Sequence, residues 1–360
     1  MLLEHNLKPP QNENISYPLH LQKTHNINYL SLFWVHEDIL VLQINNSYSV
    51  YESKQNQKLW EWEVALEPSR LFFLDELIIA EEEGRTILYK KKTGEFISEL
   101  KLNSSLDFIN EEAGLIVFKR DEQKFIAKIA LHDLVYNNKT TTLWELPIEN
   151  VVFGHHLFQD NKLILNIQKK NLFCLDWQTG QKLWEANGDD YFKEAGINIF
   201  NAYQALSKDS VFSAYGHIVS LDINTGEKKW QNSSQMGVYG TSVDSLNRLY
   251  FITHTKYLVM DAITGGVIFE KPMQEILKDF GMPNSNFAAA KPMVTDQHII
   301  FSNSISHLLF VNKFTGNVEW SHHFEGAKQV GHPLKVENGR LFLVVDHQLV
   351  VMEEVKKPIY

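Results

Sequence analysis

Few residues in this chain of 360 are of the types and spacings that carry chemistry. Histidines form two adjacent pairs, His155-His156 and His322-His323. Neighbouring strand residues point to opposite faces, so an adjacent pair without a spaced third ligand is a poor metal site. The chain contains no Gly-x-Ser-x-Gly, Walker-type or His-Glu-x-x-His motif. We therefore predict no catalytic residue, no bound metal and no cofactor.

The cysteine content and the N-terminal residues indicate in which cellular compartment the protein is expected. The single cysteine, Cys174, rules out an intramolecular disulfide and fits a reducing compartment. It lies in an apolar stretch, so we interpret it as a buried small hydrophobic side chain. Residues 1–14 show no basic head followed by an apolar run, and no stretch approaches the roughly 20 apolar residues that span a bilayer. We expect a cytoplasmic protein without membrane insertion.

The stretch from Cys174 to Trp184 is the unit around which the chain is organised. An apolar strand end is followed by Asp, a Thr-Gly turn and then a Trp four residues after the Gly. Clear copies share these positions: Asp176, Thr179, Gly180 and Trp184; Asp222, Thr225, Gly226 and Trp230; Asp261, Thr264 and Gly265 with Phe269 as the aromatic residue; and Thr315, Gly316 and Trp320 with Asn312 in place of Asp.

Three weaker copies precede these. One keeps Trp60 but has Asn56 in the Gly position, and one keeps Gly94 but has Ser98 in the aromatic position. The third ends in Trp144 and is expected to carry a longer loop through residues 137–139. Successive aromatic positions lie about 43 residues apart, which is the length of a four-stranded propeller blade. The segments between turns are short and alternate in polarity, as strands do.

Each residue type in the repeat has a mechanical reason. Gly accepts the positive φ angle of a tight hairpin turn. Asp and Thr side chains bond to backbone N–H groups that the turn would leave unpaired. The Trp residues follow the repeat period, so we expect them to pack in the core against a neighbouring unit.

With these residues the pattern resembles the pyrroloquinoline-quinone-type (PQQ-like) β-propeller repeat, Asp-x-x-Thr-Gly-x-x-x-Trp between the third and fourth strands of a blade. The resemblance implies an all-β propeller of four-stranded antiparallel blades. The last three strands lack a fourth, so we predict that the N-terminal strand completes that blade and closes the ring. Seven turns and the composite blade give eight blades; the alternative is seven, if the region of residues 98–144 is miscounted. We expect a lead-in over residues 1–16 and one propeller domain over residues 17–360.

Quinone-dependent dehydrogenases of this fold are exported, longer, and bind Ca²⁺ beside the cofactor, and many have an adjacent Cys-Cys pair. With one cysteine, this chain resembles the non-enzymatic branch of the family. An exported relative by this resemblance is the propeller lipoprotein of the outer-membrane assembly machinery, which scaffolds protein contacts without catalysis.

Two insertions interrupt the regular spacing, at residues 187–196 and 273–292, the second with a short helix predicted over Gln274–Phe280. Both follow an outermost strand, so they should emerge on one face of the propeller, where long loops on a rigid scaffold often carry function. They mix acidic and large apolar side chains, which suits an interface. We predict partner-binding residues Asp189, Asp190, Tyr191, Phe192, Phe280, Met282, Asn284 and Phe287.

These observations favour a non-catalytic protein-binding platform. The formal net charge of −10 disfavours nucleic acid and favours a basic protein partner. A specific version is a cytosolic inhibitor or an immunity-type protein that neutralises a basic toxin. The alternative is a small-ligand-binding protein or an enzyme with its site at the mouth of the central channel.

Overall fold

The computed structural model describes residues 19–25, 30–36, 38–44, 47–55, 57–63, 70–74, 76–82, 85–100, 105–110, 114–119, 125–137, 139–147, 157–167, 171–188, 203–214, 216–236, 238–253, 255–278, 293–302, 306–330, 335–337, 339–346 and 348–354. Within these ranges the regular secondary structure consists of β-strands and two short helices. The all-β prediction is confirmed.

The strands are short and follow one another closely along the chain. Their bounds are β1 Leu19–His25, β2 Leu30–His36, β3 Ile39–Ile44, β4 Ser47–Glu52, β5 Gln57–Glu63, β6 Arg70–Phe73, β7 Leu77–Glu82, β8 Arg85–Lys90, β9 Phe96–Leu100, β10 Ser105–Asn110, β11 Gly114–Lys119, β12 Phe125–Ile129, β13 Thr142–Pro147, β14 Leu157–Gln159, β15 Lys162–Ile167, β16 Asn171–Asp176, β17 Lys182–Asn187, β18 Tyr203–Ser207, β19 Ser210–Ala214, β20 Gly216–Asp222, β21 Lys228–Met236, β22 Val238–Val243, β23 Arg248–Thr253, β24 Lys256–Asp261, β25 Val267–Pro272, β26 Met293–Val294, β27 His298–Ser302, β28 His307–Asn312, β29 Val318–His323, β30 Lys335–Glu337, β31 Arg340–Val345 and β32 Gln348–Glu354. The helices are α1 Leu131–Asn137 and α2 Met273–Leu277.

These strands form four-stranded antiparallel sheets, eight of them within the described ranges. Sheets 1 to 7 each take four consecutive strands, from β2–β5 to β26–β29. Sheet 8 consists of β30, β31 and β32 with β1 as its fourth strand, and β1 pairs with β32 from Leu19↔Glu354 to His25↔Leu349. The predicted pairing of the N-terminal strand with the last three strands is therefore observed.

Neighbouring sheets pack face to face through apolar clusters. The cluster between sheets 8 and 1 joins Phe342 and Val351 to Leu40 and Leu42, so the two ends of the chain pack against each other. The first strands of neighbouring sheets are also in contact: β2 contacts β30, and β18 contacts β22. Middle strands are thus buried on both sides, which explains continuous apolar runs such as residues 299–301.

The repeated turn has the predicted hydrogen bonds. The Asp176 carboxylate oxygen Oδ1 accepts the N–H groups of Gln178 (3.0 Å) and Thr179 (2.7 Å) and the hydroxyl of Thr179 (2.8 Å). Partial burial acts against ionisation of Asp176, but these hydrogen bonds outweigh it and lower its pKa below the usual value. Gly180 has φ of 72° and donates its N–H to the Asp176 carbonyl. The side chains thus hold the turn closed.

Four Trp residues of the repeat join their own sheet to the turn of the next sheet: Trp60, Trp144, Trp184 and Trp230. Trp184 donates its indole N–H to the Ile223 carbonyl at 2.9 Å, and its ring lies against Gly226. We call this combination of a hydrogen bond and a ring contact a joint between sheets. It recurs with the following donors, carbonyls and glycines: Trp60 with Lys91 and Gly94, Trp144 with Trp177 and Gly180, and Trp230 with Ala262 and Gly265. Trp144 and Trp184 are buried, and Trp60, Trp230 and Trp320 are partly buried. The rings with this contact lie between neighbouring sheets, and Trp320 packs against the apolar cluster between sheets 7 and 8.

Other donors complete the joint where the aromatic residue is not Trp. The Phe269 ring packs on Gly316 but offers no hydrogen-bond donor, and the Tyr257 hydroxyl donates to the Lys313 carbonyl at 3.0 Å instead. Where sheet 8 meets sheet 1, the Arg340 guanidinium donates to the Ser53 carbonyl (2.5 Å) and hydroxyl (2.9 Å). A backbone carbonyl at the same turn position is therefore satisfied at each of these joints.

Sheet 3 departs from the repeat in a way that the prediction missed. The connection between β12 and β13 is longer, as expected, but Leu131–Asn137 within it form helix α1, in which the Asn137 side chain donates to the Asp133 carboxylate one turn earlier. Sheet 3 therefore lacks the Thr-Gly turn on which a Trp from sheet 2 would rest. This explains why sheet 2 has Ser98, and no aromatic residue, in that position.

Candidate functional site

Strand direction sorts the connections into two groups. Successive strands of a sheet run antiparallel, so first-to-second and third-to-fourth turns lie at one end of the sheets. We call it the turn end; it carries the turn Asp176–Gly180. Second-to-third connections and the links between sheets lie at the opposite end. We call that the loop end; it carries the links that follow β17 and β25.

Both predicted insertions leave from the loop end. β17 ends at Asn187 and β18 begins at Tyr203, while α2 ends at Leu277 and β26 begins at Met293. All the predicted partner-binding residues lie outside the described residues: Asp189, Asp190, Tyr191, Phe192, Phe280, Met282, Asn284 and Phe287. Their role stays a prediction.

Helix α2 fixes the start of the second link. A helix is present where one was predicted over Gln274–Phe280, but it runs from Met273 to Leu277, and residues 279 and 280 lie outside the described residues. Met273, Ile276 and Leu277 are buried in the cluster between sheets 6 and 7, and the Met273 N–H donates to the Thr255 carbonyl at 2.8 Å. The opposite side of the helix, with Gln274 and Glu275, is exposed. The chain therefore enters this link from a packed anchor.

Three histidines lie at the loop end of sheet 7. His307 begins β28 and His323 ends β29, and their rings stack with centroids 4.5 Å apart. His322 lies near Trp320 and Phe324, with ring centroids 6.0 and 4.6 Å away. Burial, and then the neighbouring histidines, lower the pKa of His307 and of His322. Both rings thus favour the neutral form, His307 on one face of sheet 7 and His322 on the other.

The sequence pattern predicted that the adjacent His322 and His323 point to opposite strand faces. It gave no sign that His307 stacks on His323. In the part of the chain that the structure describes, no group of three or more His, Cys, Asp or Glu residues is arranged to hold a metal ion. His155 and His156 lie outside it. No helix among the described residues is long and apolar enough to cross a membrane.

Cys174 is fully buried in β16 within the cluster that joins sheets 4 and 5. Burial raises the pKa of its thiol to about 12. The nucleophilic thiolate is therefore scarce at neutral pH, which agrees with its interpretation as a packing residue.

Sequence comparison identifies the family of the propeller. A family model described as "Outer membrane protein assembly factor BamB" matches residues 132–286 and 214–356, which together exceed half of the chain. The chain belongs to this family. Its PQQ-like repeats include the turns of sheets 4 to 7, whose hydrogen bonds and joints are described above. None of the curated proteins matches the chain.

Solved structures with the same fold span the length of the chain. BamB from Moraxella catarrhalis is 14% identical and superimposes with a TM-score of 0.66, covering 93% of this chain and 100% of its own. Sqt1 from Saccharomyces cerevisiae is 12% identical, with a TM-score of 0.63 and coverage of 96% and 100%. Quinohemoprotein alcohol dehydrogenase from Comamonas testosteroni is 8% identical, with a TM-score of 0.66 and coverage of 95% and 78%. At such identities the similarity shows the β-propeller fold alone.

Proposed function

We propose that this protein is a non-catalytic platform that binds another protein at its loop end. The observation that carries the proposal is the anchoring of α2. Three buried apolar side chains lock this helix between sheets 6 and 7, so the link that follows starts from a rigid position. A recognition loop on a rigid scaffold loses less conformational freedom on binding than a free segment does.

Aromatic rings at the loop end of sheet 7 support the same function. His307, His322 and Phe324 present largely neutral aromatic rings at the loop end of sheet 7. Aromatic side chains with polar atoms are common in the buried parts of protein interfaces, because they bury area and still form hydrogen bonds. The family's description as an assembly factor also agrees with a protein-binding role.

The identity of the partner is a separate and narrower proposal. The net charge of −10 favours a basic protein, and an inhibitor or immunity-type protein for a basic toxin is the specific form of this idea. That form is supported by charge alone. The cytoplasmic location likewise remains a prediction, which fractionation of the native host would test.

The test begins with affinity purification of the full chain from its native host, followed by mass spectrometry. A stoichiometric partner is then purified and titrated against Tyr191→Ala/Phe192→Ala, which should bind at least tenfold more weakly. Thermal stability should stay nearly unchanged, as for substitutions away from the core.

A matched control is Tyr136→Ala, which removes an exposed aromatic ring of α1 in sheet 3. It should leave partner affinity unchanged. If both variants bind the partner as tightly as the parent chain does, Tyr191 and Phe192 do not form the interface. If purified chain turns over a small molecule, the non-catalytic proposal is wrong.

A further inference from the structure

Three large apolar side chains are exposed at the turn end of two neighbouring sheets. Leu246, Ile263 and Phe314 are 57%, 67% and 45% exposed. Leu246 lies in the turn between β22 and β23, Ile263 in the turn between β24 and β25, and Phe314 in the turn between β28 and β29. Together with Arg248 we call these residues the turn patch.

Direct contacts hold the turn patch together. The two turns of sheet 6 are joined by a hydrogen bond from the Ala262 N–H to the Asn247 carbonyl at 2.8 Å, next to Ile263 and Leu246. The Arg248 guanidinium carbon lies 4.7 Å from the centre of the Phe314 ring, which brings sheet 7 into the same surface.

A buried salt bridge makes this arrangement rigid. Lys313, next to Phe314, donates to the Asp244 carboxylate at 2.9 Å, and both side chains are almost fully buried. The Tyr250 hydroxyl donates to the same carboxylate oxygen at 2.7 Å. The turns of sheets 6 and 7 are thus fixed relative to each other, so the exposed residues above them form a prearranged surface.

The repeat itself shows that this surface is a departure from the pattern. Ile263 and Phe314 occupy the same position of the turn, two residues after the Asp position. The equivalent residues in sheets 2, 4 and 5 are Lys92, Gln178 and Asn224, all polar and exposed. The turn geometry therefore does not require an apolar side chain there. Its presence in two adjacent sheets concentrates apolar area on one side of the turn end.

Charged groups of both signs surround the patch: Arg248, Lys271 and Lys313 are cationic, and Asp244 and Asp261 are anionic. Within the described residues, Arg248 has no carboxylate partner, and Lys271 bonds to the Gly316 carbonyl and the Asn317 side chain. The carboxylates of the same turns are engaged, because Asp244 pairs with Lys313 and Asp261 accepts the N–H groups of its own turn. Arg248, stacked on the exposed Phe314 ring, is thus the cation that favours an acidic ligand.

We propose that the turn patch is a docking site for a protein segment that presents a carboxylate beside apolar side chains. Arg and aromatic residues dominate the binding energy of many interfaces, and a guanidinium stacked on a ring is well placed to bind a carboxylate. The patch lies at the opposite end of the sheets from α2. It is therefore a second binding surface, independent of the one proposed at the loop end.

The test uses random peptides displayed on phage. Peptides are selected on the full chain and counter-selected on Ile263→Asn/Phe314→Gln, which introduces polar residues that the same turn tolerates elsewhere. We expect the enriched peptides to share Asp or Glu next to an aromatic or branched apolar residue. A synthetic peptide of that sequence, titrated by calorimetry, should bind at least tenfold more weakly to Phe314→Gln and to Arg248→Gln.

Controls separate this site from the loop end and from self-association. Gln178→Ala, at the equivalent turn position of sheet 4, and Tyr191→Ala/Phe192→Ala should each leave peptide affinity unchanged. Replacing the acidic residue of the peptide by its amide should weaken binding to the parent chain but have little effect on binding to Arg248→Gln. The proposal is overturned if no peptide is enriched, if the enriched peptides are basic, or if Ile263→Asn/Phe314→Gln turns a dimer into a monomer in sedimentation, because the patch would then bind a second copy.

Discussion

The contact between Trp184 and Gly226 gives a quantitative test of the joint between sheets. Gly226 has φ of 74°, and an added Cβ would lie 2.7 Å from Trp184 Cδ2 and Cε3. The ring cannot easily withdraw, because its N–H is bonded to the Ile223 carbonyl. Gly226→Ala should therefore cost about 1–2 kcal/mol for the left-handed backbone and about 1–3 kcal/mol for the steric conflict.

A double-mutant cycle separates these two costs. Trp184→Ala should cost about 3–5 kcal/mol, because it removes a buried ring and leaves a cavity between sheets 4 and 5. In that background, Gly226→Ala no longer meets the ring, so only the backbone cost remains. The double variant should therefore be about 1–3 kcal/mol more stable than the two single losses predict when added.

The assay is urea denaturation followed by far-UV circular dichroism, which does not depend on the removed Trp. Gly326→Ala is the matched control, since Gly326 has φ of 75° and no atom within 4 Å of an added Cβ. It should show the backbone cost alone. The reasoning is refuted if the losses of unfolding free energy caused by Trp184→Ala and Gly226→Ala add within about 0.5 kcal/mol in the double variant. It also fails if Trp184→Ala costs less than about 1 kcal/mol, because the ring would then not be buried.

Three further predictions concern ionisable side chains. Arg340→Ala should destabilise the protein by about 2–3 kcal/mol in urea denaturation, because it removes the donor where sheets 8 and 1 meet; an unchanged midpoint would contradict this. Lys313→Met should cost about 3–5 kcal/mol, because Asp244 stays buried without its cation, and the added change Asp244→Asn should recover much of the loss. Without such recovery, the pair would not be coupled. His307 and His322 have a lowered pKa in the folded state, so the unfolded state binds more protons below about pH 6.5 and stability should fall as the pH drops through that range. Replacing both histidines by Asn should flatten this dependence in midpoints measured from about pH 5 to 8, and a slope equal to that of the parent chain would contradict the assignment.

Local chemistry made the fold predictable from the sequence. The hydrogen bonds of Asp176 and Thr179 and the positive φ of Gly180 are formed within one turn, so their spacing is visible in any single copy. Repetition at the length of a blade then indicates that such hairpins pack side by side in successive sheets. The composite last sheet was predictable for the same reason, because three strands without a fourth leave an exposed edge that the N-terminal strand can cover.

The candidate surfaces were less predictable, because their parts lie far apart along the chain. His307 joins His323 only through strand pairing, and Phe314 meets Arg248 only because sheets 6 and 7 are neighbours. Helix α1 also escaped prediction, since the polar residues around it are equally typical of a loop.

By itself the sequence determined the type of turn, the period and the all-β class, which depend on interactions between residues close in the chain. Tertiary structure alone decided which carbonyl each Trp satisfies and why Gly226 must lack a side chain, since the ring in contact with it belongs to the preceding sheet. It also decided which exposed side chains share one surface. The reason is physical: backbone conformation is set locally, whereas packing and recognition depend on distances that exist only after the sheets have closed into a ring.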